Sequence, residues 1–336
     1  MTSRRSSLHV LVAFAFVLAR LQPAAAYVKF GVPTSDGKQV TLRWAQTPRY
    51  FVNPQPTTGV SGSDVETAVA KAFATWEAVP TATIAYQFAG TTSALPGQDD
   101  GVNVLGFRDR PDLDRVLAST SFVVDDATGA LLESDIFFNS AFTWSVAPNG
   151  EGNKFDLQSV ALHEIGHFSG LGHSALGETH PRDNGIGRVV DAAEAVMFPI
   201  AYAPGSIAAR TLKADDIAGI TDIYPDPTAA SLGSISGRVT KNGQPVFGAH
   251  VVAFDVASGL MVAGFTLNAQ GQFSIGELSP GPHILRVEPV DDADLDSFFT
   301  KTTDVDVNFR VAFFDRVVTV PRGGDSGTVT VPVTPK

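Results

Sequence analysis

Residues 163–173 read His-Glu-Ile-Gly-His-Phe-Ser-Gly-Leu-Gly-His, and this string restricts the local fold more than any other part of the chain. His163 and His167 are four residues apart, so on an α-helix one imidazole stands a turn above the other on the same face. Two imidazoles so placed can ligate a single ion. Glu164 is displaced around the helix from both, which suits a base acting on water beside the metal. Gly170 lets the chain leave the helix through a left-handed conformation that costs other residues energy, and the turn brings His173 round as a third ligand. Three nitrogen ligands leave a zinc ion one position for water, the pattern of a catalytic rather than a structural site. Five fixed identities in eleven positions arise by chance in about one chain in a hundred thousand. The string therefore predicts one catalytic Zn2+ held by His163, His167 and His173, with Glu164 as general base.

A helix carrying such a site needs a domain around it. The spacing predicts a helix from Asp156, as N-cap, to Ser169, with Gly170 ending it. An earlier helix follows the capping-box sequence Ser63-Asp64-Val65-Glu66, with Val65, Ala68, Val69, Ala72, Phe73 and Trp76 at helical period. A third runs from about Leu212 to Tyr224. Between the first two lie apolar or alternating runs at 83–88, 102–107, 116–124 and 131–138, the last two joined by the turn Asp125–Gly129. Helix, strands and further helices in this order indicate an α+β domain over 27–226.

Pro225-Asp226-Pro227 and the small residues after it read as a linker over 227–233. Beyond it the helical period vanishes. Runs at 234–240, 245–255, 261–267, 272–275 and 283–287, separated by turns such as Asn242-Gly243 and Pro280-Gly281, predict an all-β sandwich over 234–336. His250 and His283 fall in these strands with no second ligand near in sequence and receive no role. The zinc ligands, the base and the third helix all precede the linker, which predicts a first domain that folds and works without the sandwich.

The histidine string resembles the metzincin metalloproteases. Ala195-Val196-Met197-Phe198-Pro199 looks like their Met-turn, whose methionine, here Met197, lies beneath the zinc as an apolar floor. Ser174 after the third histidine, the stretch Thr211–Tyr224, and Asp135-Ile136-Phe137-Phe138-Asn139 are similar to the matrixin branch, which contains the matrix metalloproteases. The resemblance spans residues 43–224. It implies a metzincin-type catalytic domain, with a mixed twisted sheet and three helices, acting as a secreted endopeptidase. It also implies that Asp215 and Asp216 brace the Met-turn from behind. Pro199 stands where astacins and serralysins carry a tyrosine ligand, so no fifth ligand is expected. Leu117-Ala118-Ser119-Thr120 lacks the histidine of the structural zinc site of animal matrixins. The loop between His173 and Met197, which contains His180, Asp183 and Asp191, is longer than theirs and is expected to border the specificity pocket; His180 reads as a solvated side chain. Residues 234–289 resemble carboxypeptidase regulatory-like sandwich modules at Gly237-Arg238-Val239, Asn242-Gly243-Gln244-Pro245-Val246, Gly248-Ala249-His250-Val251 and Leu278-Ser279-Pro280-Gly281. Such modules carry no catalytic residues.

Residues 1–26 have the form of a signal peptide: Arg4 and Arg5, an apolar run from Leu8 to Leu18, and the small residues Ala24-Ala25-Ala26, with cleavage predicted after Ala26. Loss of Arg4, Arg5 and Arg20 with that segment takes the formal charge from −11 to −14. So acidic a chain is not built to bind nucleic acid, and no later stretch is long and apolar enough to span a membrane. Protein or peptide substrates are the expected partners, and the expected state is a secreted monomer. The acidity is compatible with Ca2+, but no motif specifies a site: Asp291-Asp292-Ala293-Asp294-Leu295-Asp296 lacks the glycine and terminal glutamate of an EF-hand loop and reads first as a solvated acidic loop. The chain has no cysteine, so no thiol-controlled latency is expected; Asp36 is the one carboxylate between Tyr27 and Arg43 that could reach a zinc ion. The alternative function is a secreted binding or adhesion protein with a vestigial zinc site. An intact Glu164 speaks against it.

Overall fold

The computed structural model describes residues 10–11, 29–33, 39–183, 187–229, 231–299 and 302–336. Most of the signal-peptide reading, and Asp36, lie outside the described residues. Among the described residues no helix is long and apolar enough to cross a membrane.

Helix α1 spans Gly62–Glu77, and its six apolar residues at helical period are all buried. They form one stripe facing the core. The capping box sits two residues earlier than the sequence suggests. The Ser61 hydroxyl accepts from the Asp64 N–H at 3.2 Å, and the Asp64 carboxylate accepts from the Ser61 N–H at 3.0 Å. Gly62 thus opens the helix, where an added Cβ would stand 2.4 Å from the Pro54 carbonyl oxygen.

Five strands build the sheet of this domain: β1 (Arg49–Asn53), β2 (Gln87–Thr91), β3 (Asn103–Arg108), β4 (Ala118–Asp125) and β5 (Ala130–Asn139). Their order in space is β4-β5-β3-β1-β2. β4 is antiparallel to β5, and the remaining pairs are parallel. The antiparallel pair follows from the turn at Asp125–Gly129, closed by the Gly129 N–H donating to the Asp125 carbonyl at 2.8 Å. β4 is the outermost of the five on its side. Its outer side is met, among the described residues, by Val10–Leu11, antiparallel at Phe122 and Ser121. β2 starts later than the apolar run predicts, because the Thr83 N–H is engaged by the Tyr224 carbonyl at 2.8 Å instead of a ladder.

Helix α2 (Leu157–Phe168) lies against α1 and the sheet, and α3 (Ala214–Ile223) closes the domain. Phe73, Trp76, Phe138, Trp144 and Phe168 are fully or almost fully buried between them. The Trp76 indole N–H donates to the Leu162 carbonyl at 2.9 Å, so the largest core side chain leaves no polar atom unpaired. The long loop after His173 folds as a hairpin, β6 (Gly177–Pro181) against β7 (Arg188–Ala193).

The C-terminal domain is β-rich. β8 (Gly233–Lys241) pairs antiparallel with β11 (Gln272–Leu278) and parallel with β14 (Asp325–Val333). β9 (His250–Asp255) lies between β10 (Met261–Phe265) and β12 (Gly281–Glu288), and β13 (Val318–Val320) adds to β12. Alternate residues of the two sheets, among them Ile235, Val239, Ile275 and Val331 against Val251, Ala253, Leu285 and Val287, share one apolar core.

The two domains do not keep their cores apart. Ala218 of α3 packs into the core of the C-terminal sheets. Phe198 joins Phe265, Val290, Ala293, Phe298 and Phe299, and Leu176 and Ala195 join Val252 and Ala263.

Candidate metal centre

The Asp156 carboxylate caps α2, accepting from the Ser159 N–H at 2.7 Å, and is itself paired with Arg210. At the other end Gly170 has φ 102°. A Cβ there would also stand 2.4 Å from the Leu42 carbonyl oxygen, so both conformation and crowding demand glycine. The carbonyls of Phe168 and Ser169, orphaned by the helix end, accept from the Trp44 indole at 2.8 Å and the Tyr224 hydroxyl at 2.9 Å. These bonds anchor the point at which the chain turns back towards His173.

The three histidines converge. His163 Nδ1 donates to the Val196 carbonyl at 2.7 Å, His167 Nδ1 to that of Leu171 at 2.8 Å, and His173 Nδ1 to that of Ser297 at 2.9 Å. A carbonyl only accepts, so each ring carries its proton on Nδ1 and leaves the Nε2 lone pair free. The Nε2 atoms of His167 and His173 are 3.2 Å apart. Two ligands each about 2.0–2.1 Å from a tetrahedral zinc would be separated by about 3.3 Å. The three ligand atoms all lie within 4.8 Å of one another, the one such group of three or more His, Cys, Asp or Glu among the described residues. Burial pushes His163 down and His167 well below the usual imidazole range, where its histidine neighbours add to the effect; His173 is pushed down to about 3, again chiefly by burial. Neutral imidazole is the ligating form. The donor set fits a zinc ion.

Glu164 is buried beside them, and its Oε2 accepts from the Thr120 hydroxyl at 2.6 Å. Burial pushes its carboxyl up to about 7, with the Thr120 bond opposing. Thr120 ties the candidate base to β4. Sequence reasoning passes over it, because a threonine in an alternating strand carries no signal of its own.

Met197 is buried under α2. A Cβ added at Gly166 would stand 2.3 Å from its sulfur, so the glycine between the two helix histidines makes room for Met197. Asp216 accepts from the N–H groups of Val196 and Met197 at 2.8 and 3.0 Å and from that of Lys213 at 2.8 Å. This is the bracing expected of the acid pair. Asp215 departs from that expectation. It accepts from the Ala263 N–H of β10 at 2.8 Å and from the Ser174 side chain. Neighbouring helix residues point about 100° apart, so two adjacent acids cannot both face one turn. Burial pushes Asp215 up to about 7 and Asp216 to about 6.

The remaining sequence candidates lie elsewhere. His180 is exposed on the β6–β7 hairpin, faces Asp191 at 2.9 Å and is not one of the three converging histidines. Within the acidic run, Asp291, Asp294 and Asp296 are exposed, and Asp292 is engaged between the domains. Asp292 Oδ1 accepts from the Thr179 N–H at 2.9 Å, and its carbonyl accepts from the Thr179 hydroxyl at 2.7 Å.

Residues 43–179 match the matrixin family. The carboxypeptidase regulatory-like domain matches residues 234–311. The matrixin match takes in all three histidines and Glu164 and ends before Met197, Asp215 and Asp216, whose placement rests on the contacts above. The chain is 30% identical over 176 residues to Metalloendoproteinase 1-MMP of Arabidopsis thaliana, covering 50% of this chain and 40% of the relative. It is 31% identical over 104 residues to Stromelysin-1 of Mus musculus, covering 31% of this chain and 18% of the relative. The chain thus spans less than half the length of either matrixin relative. Among solved structures, the Bacillus anthracis TIE protein aligns over 31% of this chain and 17% of its own at 13% identity, with a TM-score of 0.22, too slight a likeness to bear on the fold.

Proposed function

We propose that this protein is an exported zinc-dependent endopeptidase of the metzincin type. The observation that carries the reading is the common tautomer of the three imidazoles: each Nδ1–H is committed to a backbone carbonyl, and three Nε2 lone pairs converge on one point. Zinc, when bound there, polarises the scissile carbonyl and acidifies water.

The rest of the chemistry belongs to the chain. Glu164 takes a proton from the attacking water at its carboxylate and delivers it to the leaving amine. Its burial alone would leave it partly protonated near neutrality, and a divalent cation bound alongside would favour the carboxylate that a base requires. Thr120 fixes which way that carboxylate faces. The outer edge of β4 offers backbone groups to an extended peptide, and its pairing with Val10–Leu11 supports a role as strand acceptor. The basic, apolar and small-residue order of residues 1–26 supports export with cleavage after Ala26. Peptides or proteins are the proposed substrates, and a monomer is the proposed state.

The test compares the wild-type chain with Glu164→Ala on casein, gelatin and short peptides, with metal content measured on both. The expected result is one zinc bound by each protein, chelator-sensitive hydrolysis by the wild type, and a rate loss of at least ~10²–10⁴-fold in the variant. A variant with near wild-type turnover removes Glu164 from the mechanism. A wild-type protein that holds zinc and hydrolyses nothing favours the binding or adhesion alternative.

A further inference from the structure

We propose that the C-terminal domain completes the metal centre, its segment Val290–Phe299 acting as a strap that holds His173 in position to ligate. The proposal rests on the zinc reading above and adds that the first domain does not build the site alone.

His163 and His167 stand on a helix and take their carbonyl partners from within the first domain. His173 stands on the turn after that helix, with no regular element to orient it. Its Nδ1–H donates across 124 residues of sequence to Ser297. That carbonyl is presented by a tight 3-10 turn. The Ser297 N–H donates to the Asp294 carbonyl at 2.9 Å, and the Phe298 and Phe299 N–H groups donate to that of Leu295 at 3.1 and 2.9 Å. The turn is seated by its aromatics: Phe298 and Phe299, 1% and 5% exposed, pack with Phe265 of the C-terminal domain and Phe198 of the Met-turn segment. The start of the strap is clipped to the first domain by Asp292, which engages Thr179 through both its carboxylate and its carbonyl and lies near the Arg188 guanidinium.

A second path reaches the same ligand from the other side. Ser174, directly after His173, bonds Asp215, which accepts from the Ala263 N–H of β10. His173 and Ser174 are therefore held between two parts of one domain. An imidazole freed from its carbonyl partner can rotate and can place its proton on either nitrogen. Loss of such an outer partner weakens metal binding about 10–100-fold. Ser297 acts as a positioning residue through its backbone, so its partnership is broken by unseating the strap and not by changing its side chain.

The experiment uses the full chain with Phe298→Ala, which removes the seat, and Asp292→Ala, which removes the carboxylate half of the clip at a part-exposed position. Zinc affinity is measured by competition with a chromophoric chelator, and the visible spectrum of the cobalt(II)-substituted protein reports ligand geometry. Phe298→Ala is expected to raise the zinc dissociation constant about 10–100-fold and to shift the cobalt bands, with a smaller change of the same kind in Asp292→Ala. Phe313→Ala, at an exposed strand position of the same domain, should leave both readouts unchanged. A folded Phe298→Ala protein with wild-type affinity and cobalt spectrum overturns the proposal. If that variant does not fold, Asp292→Ala decides by the same two readouts. Failure of the wild-type chain to take up zinc, or uptake that survives His167→Ala, overturns the zinc reading itself and is a different result.

Discussion

The two ends of the histidine string are supported in opposite ways. His163 and His167 are a helical turn apart, and their carbonyl partners, Val196 and Leu171, belong to the same domain. His173 lies six residues past His167 and takes its partner from the C-terminal domain. A helix supplies its own scaffold, so two ligands on one face need little besides orientation of their rings. A ligand on a turn has backbone freedom to lose, and this chain restrains it with contacts between domains. The acid pair divides along the same line: Asp216 accepts from the turn at Val196 and Met197, while Asp215 accepts from Ala263 of β10.

Separating the acids tests that division with the largest expected effect. Asp216→Ala leaves three backbone N–H groups without their acceptor, two of them buried. At about 1–3 kcal/mol for each buried unsatisfied group, it should lower first-domain stability by at least about 2 kcal/mol in chemical denaturation. Asp215→Ala removes the acceptor of one buried interdomain bond and should cost about 1–3 kcal/mol. Hydrogen exchange should show the loosening of Asp215→Ala concentrated in β10 and at 174–177. Equal protection patterns in the two variants would break the comparison.

Gly166→Ala probes the helix end alone. The new methyl would overlap the Met197 sulfur, at the flexible part of a side chain that can shift. The cost should be about 1–3 kcal/mol of overpacking, with interdomain exchange unchanged. An effect that spread to 290–299 would show the two halves to be coupled.

The smallest effect concerns pH and lies wholly within the first domain. Glu133 accepts from the N–H groups of Asp100 and Gly101, and burial pushes it up to about 7. Its folded value lies above its unfolded one, so its contribution is fullest at low pH and is lost as pH rises through about 7. Glu133→Gln should therefore make the fall in stability between pH 5 and 8 shallower than in the wild type, measured by denaturant titration at each pH. Parallel wild-type and variant curves would show that Glu133 does not titrate in that window.

Much of the site is legible in short-range spacing. The i, i+4 histidines, the Asp156 cap, the Gly170 stop and the methionine in its turn all depend on short-range spacing, which a helix or a turn converts directly into geometry. The capping box stands two residues from where the spacing suggests, because Ser61 and Ser63 each stand three residues before an acid and spacing alone does not distinguish them. Thr120 was not legible, since it reaches Glu164 only through packing of a sheet strand on a helix.

The sequence by itself determined which residues can bind a metal and where two of the three ligands stand, because helical periodicity is local and strong. It also marked where a helical domain gives way to a β-rich one. Only the tertiary structure decided the tautomer of each imidazole, the separate tasks of Asp215 and Asp216, and the use of Asp292 as a clip to Thr179. Those features depend on which backbone carbonyl or N–H arrives from a distant segment. A backbone group is common to every residue, so no side-chain pattern around Ser297 announces that its carbonyl will meet His173.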